Sequence, residues 1–167
     1  MSSILITGTS KGIGFETALA FARAGHKVYA TMRNPSQSPQ LAQVVAREKL
    51  PITISTMDVD SDSSVSQRIV QIQKDHGPID VLVNNAGVER AGSIEEIPLA
   101  DFRAVMETNY FGAIRCIQAV VPHMEFLVQP AHGTVLSRDH RQSVPVLGLR
   151  RAAGEWQRGD SQPKRLW

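Results

Sequence analysis

The chain has 167 residues, 42% hydrophobic and 20% charged, with a net charge of +2, the composition of a soluble globular protein long enough for one domain with its own core. So small a net charge gives no global reason to expect nucleic acid as a partner, no apolar run approaches bilayer length, and the single cysteine, Cys116, excludes an internal disulfide and fits a reducing compartment. The first strand begins within a few residues of Met1, which leaves no room for a signal peptide, so the cytoplasm is the expected location.

In chain order, Ile4-Leu5-Ile6-Thr7 is a short apolar run that feeds Gly8-Thr9-Ser10-Lys11-Gly12-Ile13-Gly14. The apolar positions Phe15, Leu19 and Phe21 then predict a helix that runs to about Ala24 and stops at Gly25. Strand, glycine turn, helix is the order of a phosphate loop: Gly8 allows a sharp turn, Gly12 and Gly14 allow close approach, and the helix N-terminus offers free N–H groups to an anion. Lys27–Met32 predicts a second strand, broken by Arg33-Asn34-Pro35. Leu41 to Leu50 predicts a helix, with Leu41, Val44, Val45 and Leu50 on one side, ended by Pro51. Ile52–Met57 is β-branched and alternating, hence a strand, closing at Asp58. Asp60 to Asp62 start a helix in which Val65, Ile69 and Ile72 recur at helical spacing as far as Gly77. Ile79–Val83 predicts a short strand ending in Asn84-Asn85-Ala86-Gly87. A long helix follows from about Leu99 to Val121, with Phe102, Val105, Met106, Ala113, Ile117 and Val120 marking its buried side and Cys116 among apolar neighbours. Gly133 to Leu136 begins a fifth strand.

Strands alternating with helices imply an α/β fold, a Rossmann-type doubly wound parallel sheet. Right-handed crossovers put the strand C-termini on one edge. Gly8, Arg33, Asp58 and Asn85 each follow a strand end, so they converge on the rim where open α/β sheets bind ligands.

These residues resemble the short-chain dehydrogenase/reductase family. Thr7 to Gly14 matches its T-G-x-x-x-G-x-G, and Asn84-Asn85-Ala86-Gly87 matches its N-N-A-G. Asp58 stands where the family has an adenine-contacting Asp, and Asn109 where it has a catalytic-site Asn. The resemblance covers residues 1–137 and implies a nicotinamide dinucleotide bound by Thr7, Gly8, Ser10, Lys11, Gly12, Ile13, Gly14, Arg33, Asp58, Val59, Asn85, Ala86 and Gly87. It also implies hydride transfer to or from a small carbonyl or alcohol substrate. The segment from Val28 to Pro35 is similar to the NADP-using hydroxysteroid and retinol dehydrogenase branch. NADP is favoured over NAD because the second strand ends in Thr31-Met32-Arg33 with no acid to bind ribose hydroxyls. Arg33 can take a 2′-phosphate bidentately, and Lys11 adds a second positive charge.

The family's acid–base pair is a Tyr followed four residues later by a Lys, assisted by a Ser. Here the tyrosines are Tyr29 and Tyr110, and Ile114 stands four residues after Tyr110, in a helix where Tyr110 is expected to pack. His140 falls about where the Ser is expected, and Ser137 and Ser143 are out of register. Residues 1–137 carry a net charge of −2, whereas 138–167 carry +4, with six of the 13 arginines and both tryptophans. Residues 138–167 show no helical or strand periodicity and no likeness to the family's continuation. They are expected to be a divergent, disordered basic tail, as a shifted reading frame or an alternative exon would produce, with a nucleic-acid-binding tail as the functional alternative. The five histidines lack metal-ligand spacing. Two functions follow: an NADP-dependent oxidoreductase, or a truncated, non-catalytic dinucleotide-binding chain. Loss of the strands and helix beyond the fifth strand is expected to bare the 99–121 helix and favour self-association.

Overall fold

The computed structural model describes residues 1–124; the expected fifth strand and the 138–167 segment lie outside the described residues. Four parallel strands form a sheet in the order β3-β2-β1-β4: β1 (Ser3–Thr7), β2 (Lys27–Met32), β3 (Ile52–Thr56) and β4 (Val81–Val83). β1 pairs with β2 from Ser3↔Lys27 to Thr7↔Thr31, and with β4 from Ile4↔Val81 to Ile6↔Val83. The chain therefore moves outward on one side of β1 and then returns to its other side, which opens a crevice beyond the C-terminal end of β1.

The period-2 alternation of side chains divides each central strand between two cores. Ile4, Ile6, Val28, Ala30 and Met32 pack with Ala18, Leu19 and Ala22 of α1 (Gly12–Arg23) and Leu41 of α2 (Pro39–Glu48). Leu5 and Tyr29 point the other way, onto Val65, Ile69 and Ile72 of α3 (Asp62–His76) and Cys116 and Val120 of α5 (Gly112–Val120). Both faces of β1 are covered, which is why its sequence is apolar without alternation. Gly25, with φ +86°, ends α1. The Ser61 hydroxyl caps α3 by accepting from the Ser64 N–H at 3.3 Å, so the expected acidic start resolves into a serine cap with Asp62 in the first turn.

The expected Leu99–Val121 helix is one continuous helical run with a wider turn in it: α4 (Leu99–Met106), a π-helical segment (Glu107–Phe111), then α5. Its buried face agrees with the expectation at Val120, with Phe102, Val105 and Ala113 partly buried, and departs from it at Met106 and Ile117. Thr108, Gly112, Cys116 and Val120 are buried, while Met106 and Ile117 are 49% and 45% exposed. Both faces are apolar, so hydrophobicity alone does not separate them. Close approach does: a Cβ on Gly112 would stand 2.8 Å from Val59 Cγ2, so only a glycine lets the helix seat there. Tyr110, expected to pack, is 52% exposed, its ring edge to face with that of its neighbour Phe111. Burial pushes the Cys116 thiol up to about 11, as its apolar neighbours implied. No helix among the described residues is long and apolar enough to cross a membrane.

Candidate functional site

The strand ends at the β1/β4 junction are tied together by two side chains. Thr7 Oγ1 accepts the N–H groups of Asn85 at 3.0 Å and Ala86 at 2.9 Å. Asn85 Nδ2 in return donates to the carbonyls of Thr7 and Gly8, both at 2.9 Å. The loop after β1 and the loop after β4 thus form one piece. Gly8 has φ +70°, and a Cβ there would lie 2.7 Å from Ala86 Cα. A Cβ on Gly14 would fall on the Asn85 amide itself. Gly12 differs: its φ is +63°, but a Cβ would meet nothing within 4 Å.

Within the turn, Thr9 is buried and Ser10 is not. Thr9 donates both its N–H and its hydroxyl to the Thr31 carbonyl, at 3.0 and 3.2 Å, fastening the turn to β2. Ser10 is left on the cavity wall. No side chain caps the start of α1 at Lys11. Uncapped N–H groups at a helix N-terminus, with glycine in place of bulk, leave a cradle suited to an anion.

A cavity of about 290 Å³ lies against this cradle. One side is made by Gly8, Ser10, Lys11 and Ile13, and another by Met32 and Arg33 at the end of β2. The wall beyond comes from Met57, Asp58, Val59 and Asp60 after β3, and the near wall from Asn85, Ala86, Gly87 and Val88 after β4. Lys11 and Arg33 are exposed at its edge, and neither forms an ion pair with a described residue. The Asp58 carboxylate accepts the Asp60 N–H at 3.2 Å, and the Asp58 N–H donates to Ser64 Oγ at 2.9 Å, so the residue is held at the rim. Ten of the expected residues therefore line one cavity; Thr7 and Gly14 stand behind it as structure, and Gly12 belongs to the same turn.

Asn109 sits in the π-helical segment, with both ends of its amide engaged. Its Oδ1 accepts the Val88 N–H at 2.8 Å and its Nδ2 donates to the Val88 carbonyl at 2.9 Å. Its side chain therefore holds the loop after β4. Thr108, the residue before it, reaches the cavity and donates to Asp60 Oδ2 at 2.9 Å. Thr108, Asp60, Val88, Met32 and Met57 were not legible as site residues; the only local signal is that they adjoin Asn109, Asp58, Gly87 and Arg33. No group of His, Cys, Asp and Glu among the described residues is arranged to hold a metal ion.

The chain is similar to known proteins. The family model described as short chain dehydrogenase matches residues 2–137. Retinol dehydrogenase 8 of Bos taurus is 43% identical over 128 residues, covering 74% of this chain and 40% of the relative. Gluconate 5-dehydrogenase of Gluconobacter oxydans is 35% identical over 120 residues, covering 72% and 47%. Among solved structures, a gluconate 5-dehydrogenase from Burkholderia cenocepacia in complex with NADP and tartrate is similar with a TM-score of 0.67 and 32% identity, over 73% of this chain and 48% of that one. The chain thus spans less than half the length of these relatives.

Proposed function

The chain belongs to the short-chain dehydrogenase family, and from that premise we propose that residues 1–137 are the dinucleotide-binding part of an oxidoreductase acting between nicotinamide and a carbonyl or alcohol, with NADP(H) preferred to NAD(H). The observation that carries this reading is the cavity at the β1/β4 crevice, flanked by Lys11 and Arg33 with no carboxylate at the end of β2. The glycine turn fits a dinucleotide: the uncapped N–H groups of α1 and the open side of Gly12 leave room and partial positive charge for a pyrophosphate. Ser10, Lys11, Gly12 and Ile13 take that position, with Thr7, Gly8 and Gly14 holding the turn. Arg33 would take the 2′-phosphate. Asp58 and Val59 would hold the adenine, and Asn85, Ala86 and Gly87 the neighbouring ribose. Bound there, the cofactor would supply or accept a hydride.

Asn109 acts as a positioning residue in this scheme, because its amide is spent on Val88. A second reading, a chain that binds without turnover, is favoured by Tyr110: it is half exposed in a helix with Ile114 four residues on. We propose that 138–167 is a separate basic segment that supplies no acid–base pair. The relatives named for retinol and gluconate oxidise unlike substrates, so the substrate is left at the class of carbonyl or alcohol.

One experiment tests both readings. Titrating NADPH and NADH against the 167-residue chain and its Arg33→Asp variant should show tighter NADPH binding in the wild type. The substitution should weaken NADPH by roughly 10–100-fold, the worth of one or two charge-assisted hydrogen bonds. Equal affinities for the two cofactors in the wild type would remove the NADP preference. The same protein with NADPH and a panel of aldehydes and ketones should leave the nicotinamide absorbance unchanged, since each missing acid–base group typically contributes about 10²–10⁴-fold. Saturable turnover would restore the enzyme reading for this chain.

A further inference from the structure

Resting on the reading of the cavity as a dinucleotide site, we propose that Arg115, together with Thr108, is a positioning residue that fixes the Asp58–Asp60 wall against the adenosine half of the ligand. Arg115 stands on α5, outside the cavity, and its guanidinium reaches three places. Nη1 donates to the Val59 carbonyl at 3.2 Å, Nε donates to Asp62 Oδ1 at the start of α3, and Nη2 donates to Glu107 Oε1 two turns back. Carboxylate partners on two sides raise the guanidinium pKa further and keep it charged.

Inward of Arg115 the same helical run grips the same wall twice more. Gly112 receives the Val59 side chain where a Cβ would clash. Thr108 donates to Asp60 Oδ2, whose partner oxygen Oδ1 is buried without a hydrogen bond among the described residues. Thr108, Gly112 and Arg115 recur at four and three residues, one stripe on one helix face. The wall's own bonds are local: Asp58 N–H to Ser64, Asp60 N–H to Asp58, Ser61 N–H to the Asp58 carbonyl. They shape the turn but do not fix its distance from the glycine loop across the cavity. The stripe does that. The exposures of the three arms differ, with Asp62 86% exposed and Glu107 42%. The Val59 carbonyl arm, which is partly buried, is therefore the one expected to matter most.

Three variants of the full chain test this: Arg115→Met, Arg115→Lys and Thr108→Val. In Arg115→Met, without ligand, the Asp58, Asp60 and Ser61 amides should exchange about tenfold faster, while those of Leu5 and Tyr29 in the sheet keep their rates. Titrated with 2′,5′-ADP and with NADPH, the variant should lose about tenfold on both by the same factor, because the lost contact serves the half they share. Thr108→Val should act in the same direction. Arg115→Lys keeps the charge but not the fork, so it should restore little. Unchanged exchange in the 58–61 segment would overturn the proposal. So would uniformly faster exchange that includes Leu5 and Tyr29, or full rescue by lysine. Should the wild type bind neither ligand, the dinucleotide reading itself falls, and the exchange comparison still decides whether Arg115 holds the wall.

Discussion

Gly8, Gly12 and Gly14 bend one loop for three different reasons. Gly14 is required by space, because the Asn85 amide fills the volume a Cβ would need and is pinned there by two carbonyls. Gly8 is required by space and by its left-handed backbone, φ +70°. Gly12 is required by backbone alone, since its Cβ direction is open. Alanine at Gly14 should cost about 1–3 kcal/mol as an overpacked site. Alanine at Gly8 should cost that plus about 1–2 kcal/mol for the left-handed conformation, and alanine at Gly12 only the latter. Urea unfolding of the three variants should give the order Gly8, Gly14, Gly12. Dinucleotide binding should not follow that order: Gly12→Ala folds, yet on the proposed reading its methyl would stand where a phosphate approaches. A Gly12→Ala variant that binds as tightly as wild type would separate the open side of Gly12 from the ligand.

Two helices, α1 and α2, meet through charge at their C-terminal ends. Arg23 near the end of α1 makes a two-bonded pair with Glu48 at the end of α2, at 2.9 and 3.0 Å, and Arg47 joins at 3.0 Å. Hydrogen bonds from Arg23 and then Arg47 hold the Glu48 carboxyl down at about 2. A carboxyl lower in the folded state than in the unfolded one stabilises the fold above the ordinary carboxylate range, and that contribution disappears as pH falls toward 2. Glu48→Gln should therefore flatten the pH dependence of stability between about 4.5 and 2, modestly and less at high salt because the pair is exposed. A slope as steep as wild type in that window would assign the acid sensitivity to other carboxylates. The four described strands and the glycine turn could be read from the sequence because each rests on a local rule: alternation in Ile52–Thr56, unbroken apolarity in Ile4–Ile6, glycine where φ turns positive. The α4–α5 run could not be read in the same way. Its inner face is set by who approaches it, Val59 against Gly112 and Asp60 against Thr108, residues about 50 positions away in sequence. For the same reason Arg115 looks in sequence like a surface cation, while in the fold it is tied to the β3–α3 turn.

At the scale of the whole molecule, the β1/β4 crevice and the outer face of α4–α5 are separate surfaces of one unit, Met1–Met124. The crevice gathers the polar groups. The outer face gathers apolar ones: Met106, Tyr110 and Ile117 recur at four and seven residues, with Phe111 beside them, each 45–52% exposed. We propose that this face carries self-association, and magnitudes decide how strongly. Full burial of such a side chain contributes about 1.5–3 kcal/mol, so covering the exposed half of each contributes about 1 kcal/mol. A twofold contact uses the set twice, a gross gain of about 8 kcal/mol against an association cost of about 4–15 kcal/mol. The balance favours a weak, concentration-dependent dimer over a permanent one. Sedimentation of the 167-residue chain across a wide concentration range should show a reversible shift in mass, and Met106→Lys with Ile117→Lys should abolish it. The dinucleotide affinity of the double variant should be unchanged, because neither side chain lines the cavity. A monomer at every concentration, or association that survives both lysines, would place any self-contact elsewhere on the chain.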